Sequence, residues 1–127
     1  MQIAYYESLG LEGLKAYADT LKAVREAGVP VIADIKRGDI AKTAEMYAMG
    51  HFTGDFEADF VTLAPYMGLD SISLSAYAEK QGKGMFVLCR TSNGGAKDFE
   101  YEKLADGRHV YDLVGRQAER PRQGLHG

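Results

Sequence analysis

The stretch VIADIKRGDIAKTAEMYA, residues 31–48, begins as an apolar β-strand and ends in charge. Asp34 and Lys36 fall where the strand stops, and Arg37 and Asp39 follow on either side of Gly38. Residues two apart in a strand share a face, so Asp34 and Lys36 are expected to project together from its C-terminal end. Gly38 lets the backbone turn sharply, and Asp39 then sits in the loop before a helix. An ammonium held between carboxylates is kept protonated. It then serves as a proton donor and stabilises negative charge that develops beside it. The same D-x-K spacing also describes a solvated surface ion pair worth ~0–1 kcal/mol, and Asp39 also fits a helix cap. Spacing alone leaves these readings open.

Around this stretch the chain alternates. Apolar runs occur at 2–7 (QIAYYE), 29–36 (VPVIADIK), 59–66 (DFVTLAPY) and 84–90 (GMFVLCR). Each reads as a strand apolar on both faces, as in a parallel sheet covered by helices. Between them lie helical patterns. In LEGLKAYADTLKAVREAG, Leu14, Tyr17, Ala18, Leu21 and Val24 share one face, and Gly28 supplies a stop. Segments 40–57, 69–82 and 107–120 read the same way, the last ended by Pro121. Strand followed by helix, repeated, predicts consecutive βα units. Both a Rossmann-like sheet and part of a (β/α)8 barrel fit that alternation. No G-x-G-x-x-G follows any strand, which removes the main support for dinucleotide binding. A complete barrel needs roughly 200 residues or more, so the 127 residues correspond to about half of one. The expected organisation is one partial barrel domain over 1–127.

Composition narrows the function classes. A net charge of −3 and the lack of a basic run argue against a generic nucleic-acid binder. No apolar run is long enough to span a membrane, and residues 1–20 lack a signal-peptide pattern, so a cytoplasmic location is expected. Cys89, the single cysteine, lies in the run MFVLC and reads as a buried small hydrophobe. His51, His109 and His126 share no metal-ligand spacing and are expected at the surface. Tyr5, Tyr6, Tyr47 and Tyr66 read as packing residues, Glu7 as a loop-stabilising acid, and Arg90 and Lys97 as loop supports.

The residues following Asp34 sharpen the picture. DIKRGDIAKTAEMYA resembles the signature of orotidine 5′-phosphate decarboxylases, in the branch that reads D-x-K-R-G-D-I-x-x-T-A. Three further stretches resemble the same branch in order: QIAYYESLGLEGL at 2–14, VTLAPYMGLDSI at 61–72 and RTSNGGAKDF at 90–99. They correspond to the second, fourth and fifth barrel strands with their loops, and the likeness extends to about residue 115. A 3-keto-gulonate-phosphate decarboxylase, a magnesium-using relative, shares only the D-x-K-x-x-D core and does not account for these three stretches.

The resemblance implies a cofactor-free decarboxylase in pyrimidine nucleotide synthesis. Lys36 would face the carbanion left at C6 and protonate it, and Asp34 would lie beside the departing carboxylate. Asp39 and Thr43 would reach into the neighbouring site of a homodimer, and Ser92 would bond the pyrimidine edge. Neither nucleic acid nor membrane is an implied partner. The pattern also departs from the family. Its first lysine would precede the QIA stretch, and its first strand and phosphate-gripping loop find no match here. Gly94 replaces a proline, Ala41 a glycine and Ala64 a frequent polar residue. Without that lysine, Asp34 and Asp39 would share one ammonium, so at least one is expected to titrate above the usual carboxylate range. The 127-residue chain is expected to show little activity alone and to self-associate through open strand edges at 2–7 and 84–90. The rival expectation is a non-catalytic remnant or interaction module.

Overall fold

The computed structural model describes residues 1–68 and 81–119. They divide between two compact units, Met1–Phe86 and Val87–Gly127.

In the first unit, Ile3–Glu7 (α1) and Gly10–Glu26 (α2) precede strand Ile32–Arg37 (β1). Helix Ala41–Phe52 (α3), a 3-10 turn at Gly54–Phe56 and strand Phe60–Leu63 (β2) follow, and strand Gly84–Val87 (β3), of which all but Val87 belongs to this unit, closes the order β1-β2-β3. β1 and β2 pair in parallel, with Ile32 opposite Phe60 and Ala33 opposite Val61. The predicted α/β class is therefore present, and β1, α3 and β2 form one of the expected βα units. The helical pattern 69–82 lies almost entirely outside the described residues, as do Pro121 and His126.

Period-two burial builds the strands. Val31, Ala33 and Ile35 are buried, as are Val61 and Leu63. Tyr17 and Leu21 of α2 and Ala44, Ala48 and Phe52 of α3 are buried as well, and with these strand residues they form the apolar core. The alternate face of β1 carries Ile32, Asp34 and Lys36, of which Ile32 and Lys36 are exposed and Asp34 is half-buried. The expectation that both faces are buried thus fails for β1: the face that bears the charges is only partly covered.

The expected strand at 2–7 is corrected more sharply. Gln2 makes a single parallel bridge to Asp34, after which the chain turns into α1. Two features favour helix here. Gln2 Oε1 accepts from the Ala4 N–H at 3.2 Å, capping the first turn. Buried Ile3 and half-buried Tyr6 are three residues apart, a helical spacing, and the Tyr6 ring packs 5.2 Å from that of Tyr17. Gly13 lets α2 approach α1, since a Cβ there would collide with the Tyr6 carbonyl oxygen. Gly28 ends the region as predicted, with a φ of 79°.

The starts of the strands are tied by charge. Arg25 reaches Glu57 at 3.0 Å, and the buried Lys83 ammonium donates to Glu57 at 2.9 Å. Asp59 accepts the Val31 N–H at 2.8 Å, so one carboxylate joins the start of β1 to that of β2.

In the second unit a 3-10 helix at Gly94–Asp98 leads to an antiparallel bridge between Lys103 and His109, then to helix Val110–Glu119 (α4). Arg90 donates to the Tyr101 hydroxyl at 2.8 Å and lies over the Tyr101 and Tyr111 rings, the loop support expected of it. Cys89 is half-buried rather than buried, and its thiol donates to the Tyr111 carbonyl at 3.0 Å.

Two surface expectations also fail. Tyr5 and Tyr66 are 77% and 93% exposed, so neither packs. His51 is only 8% exposed, sandwiched between the rings of Tyr47 and Phe56. It lies on the face of α3 that buries Ala44, Ala48 and Phe52.

Candidate active site

Asp34 and Lys36 meet. Lys36 Nζ donates to both carboxylate oxygens of Asp34, at 2.6 and 2.7 Å. The pair is open to solvent, with the Lys36 side chain 44% exposed. Two residues absent from the sequence reading complete the cluster. The Thr62 hydroxyl lies 2.8 Å from Asp34 Oδ1, and Gln2 Nε2 donates to Oδ2 at 3.0 Å. Asp34 therefore has partners on its own strand, on β2 and on the first residues of the chain. Thr62 was legible in principle: it is the one polar residue within FVTLA, and a polar group in a buried strand needs a partner. Gln2 carried no comparable signal.

Burial pushes the Asp34 carboxyl upward, but hydrogen bonds from Lys36 and Thr62 and the lysine's charge outweigh it, and the group titrates below its ordinary range. The expectation that at least one of Asp34 and Asp39 is raised by sharing one ammonium therefore does not hold at Asp34. The reason is geometric. The ammonium is engaged by Asp34, while Asp39 turns elsewhere, its Oδ1 accepting from the adjacent Ile40 N–H at 2.8 Å. Asp39 does not cap α3 either, because Ile40 occupies that place.

The loop after β1 is held by close contacts. Lys36 has a φ of 47°, a left-handed conformation uncommon for a residue with a side chain. Ala41, where the resembling family has glycine, has a φ of 42°. Arg37 donates to the Ile35 carbonyl at 2.9 Å and pairs with Glu7 at 2.5 Å, so Glu7 braces this loop. Thr43 is exposed in the first turn of α3. Ser92 belongs to the second unit and is exposed. Beside it, Glu100 grips Thr91, accepting from its N–H and its hydroxyl at 2.6 Å each. A shallow charged cavity beside α2, lined by Asp19, Lys22, Arg25, Asp55 and Glu57 among others, includes neither Asp34 nor Lys36.

Parallel βα units with an acid–lysine pair where a strand ends match the (β/α)-barrel class, whose sites lie at that end of the strands. The model of the Orotidine 5′-phosphate decarboxylase / HUMPS family matches residues 1–127, and the chain belongs to this family. It is 63% identical over 116 residues to an orotidine 5′-phosphate decarboxylase of Clostridium perfringens (strain SM101 / Type A), covering 91% of this chain and 40% of that protein. With the same enzyme of Clostridium tetani it shares 56% over 128 residues, covering 100% of this chain and 44% of the relative. The solved structure of Leishmania donovani OMP decarboxylase superimposes with a TM-score of 0.83 at 41% identity, covering 93% of this chain and 45% of that one. The chain thus spans less than half the length of the relatives it matches. No helix among the described residues is long and apolar enough to cross a membrane.

Proposed function

We propose that the protein to which these residues belong is an orotidine 5′-phosphate decarboxylase, converting its substrate to uridine 5′-phosphate and CO2 without a cofactor. The observation that carries this reading is the Lys36 ammonium held by both oxygens of Asp34, within a chain of this family. Loss of CO2 from C6 leaves an electron pair on carbon. A fixed positive charge beside that carbon stabilises the carbanion as it forms, and Lys36 then delivers the proton to C6. Asp34 keeps the lysine charged and places its own charge next to the substrate carboxylate before that group departs. Asp39, turned away from Lys36 of its own chain, is assigned to the neighbouring site of a homodimer together with Thr43. Ser92 is assigned to the pyrimidine edge. The protein acts in pyrimidine nucleotide synthesis in the cytoplasm.

The test follows the fall in orotidine 5′-phosphate absorbance with chelator present. It compares the 127-residue chain, the chain completed to the length of its relatives, and Lys36→Ala in each. Chelator-insensitive, lysine-dependent turnover by the completed protein is expected, with little by the shorter chain. A completed, folded protein that leaves the substrate intact would overturn the assignment.

A further inference from the structure

Parallel pairing between β1 and β2 breaks just where the charges begin. Ala33 lies opposite Val61, yet the next partners are Arg37 and Leu63, so β1 accommodates four residues where β2 advances two. A bulge of this kind leaves backbone groups outside the ladder, and each needs another partner. The Lys36 N–H is one of them. It donates to the Thr62 hydroxyl at 3.0 Å, while the same oxygen lies 2.8 Å from Asp34 Oδ1. The hydroxyl therefore accepts from the main chain of Lys36 and donates its single proton to the carboxylate. Lys36 meanwhile holds a left-handed backbone, φ 47°, which persists only where the surroundings over-determine it.

We propose that Thr62 is a positioning residue: its hydroxyl locks the Lys36 backbone in its left-handed turn and orients the Asp34 carboxylate, fixing the two charges in one geometry. The consequence for catalysis rests on the decarboxylase reading, but the positioning itself does not require substrate. A valine at 62 has nearly the same shape, with neither donor nor acceptor. It leaves the Lys36 N–H without its partner and removes one bond from Asp34.

The experiment uses substrate-free chain labelled for NMR, as wild type, Thr62→Val and Thr62→Ser. It reads amide exchange at Lys36 and the pH titration of the Asp34 carboxyl carbon. Asp34 faces the Lys36 ammonium on its own strand, the Gln2 amide and Met1 ammonium from the first residues, and the Thr62 hydroxyl from β2. Only the last changes between variants. Thr62→Val is expected to speed Lys36 exchange on the order of tenfold and to move the Asp34 titration to higher pH. Thr62→Ser restores both. If the valine variant does not fold, Thr62→Ala gives the same comparison. Unchanged exchange and titration in a folded Thr62→Val or Thr62→Ala chain would overturn the proposal. A chain that shows both effects but whose completed form leaves orotidine 5′-phosphate intact would refute the decarboxylase reading alone.

Discussion

Gly38 sits so close to Ala64 that a Cβ placed on it would stand 2.6 Å from the Ala64 carbonyl oxygen. The same two segments are joined on the other side by the Ala64 N–H donating to the Arg37 carbonyl at 2.9 Å. The glycine between the last two charges is therefore required by the neighbouring strand's backbone, which cannot rotate away as a side chain does. Gly38→Ala is expected to lower stability by about 1–3 kcal/mol, the range for forcing extra atoms into a packed site. It is also expected to displace Asp39. A urea midpoint equal to wild type would contradict this.

Ala41 offers the opposite case. Its φ of 42° places an L-residue in the left-handed region, which costs roughly 1–2 kcal/mol. Glycine removes that strain but loses more backbone entropy on folding, by roughly 0.5–1 kcal/mol. Ala41→Gly is therefore expected to stabilise the chain by about 0.5–1 kcal/mol, read by denaturant titration. A destabilised variant would show that α3 begins differently in solution.

Stability should fall in mild acid through His51. Burial, helped by the Arg37 charge, depresses its folded-state pKa. The unfolded chain then binds more protons near and below pH ~6.5, and stability declines as pH falls through that range. The contribution is fully present above the unfolded value and is lost as pH drops toward the folded one. His51 Nδ1 is buried without a hydrogen-bond partner, so His51→Leu removes the titration without breaking a bond. Urea midpoints at pH 7.5 and 5.5 should differ for the wild type and converge for the variant. An equal pH dependence in both would place the acid sensitivity elsewhere.

The two partners at the strand starts should respond unequally to mutation. The Lys83 side chain is 5% exposed, whereas that of Glu57 is 36% exposed and also meets Arg25. Glu57→Ala leaves a buried ammonium without its carboxylate. Allowing for the exposure of Glu57, a loss of about 2 kcal/mol is expected. Lys83→Met fills the same space with an apolar chain and leaves Glu57 paired with Arg25, so a change under about 1 kcal/mol is expected. Thermal unfolding of both variants checks the order, and a more damaging Lys83→Met would reverse the argument.

The sequence by itself determined the β1–α3–β2 unit, the helix ending at Gly28, and the meeting of Asp34 with Lys36. These follow from local rules: hydrophobic period, glycine's freedom, and the shared face of residues two apart. The family likeness was legible in the same stretches, above all DIKRGDI. The tertiary structure alone decided what surrounds them. Residues 2–7 became one bridge and a helix because Ile3 and Tyr6 pack with helical spacing and Gln2 caps the turn. Thr62 joined the charged pair because β2 lies beside β1 and their pairing breaks at the bulge, a relation between positions 26 residues apart. His51 went inside because α3 buries that face. The direction of the Asp34 titration depended on which groups point at the carboxylate, and spacing along the chain does not specify that.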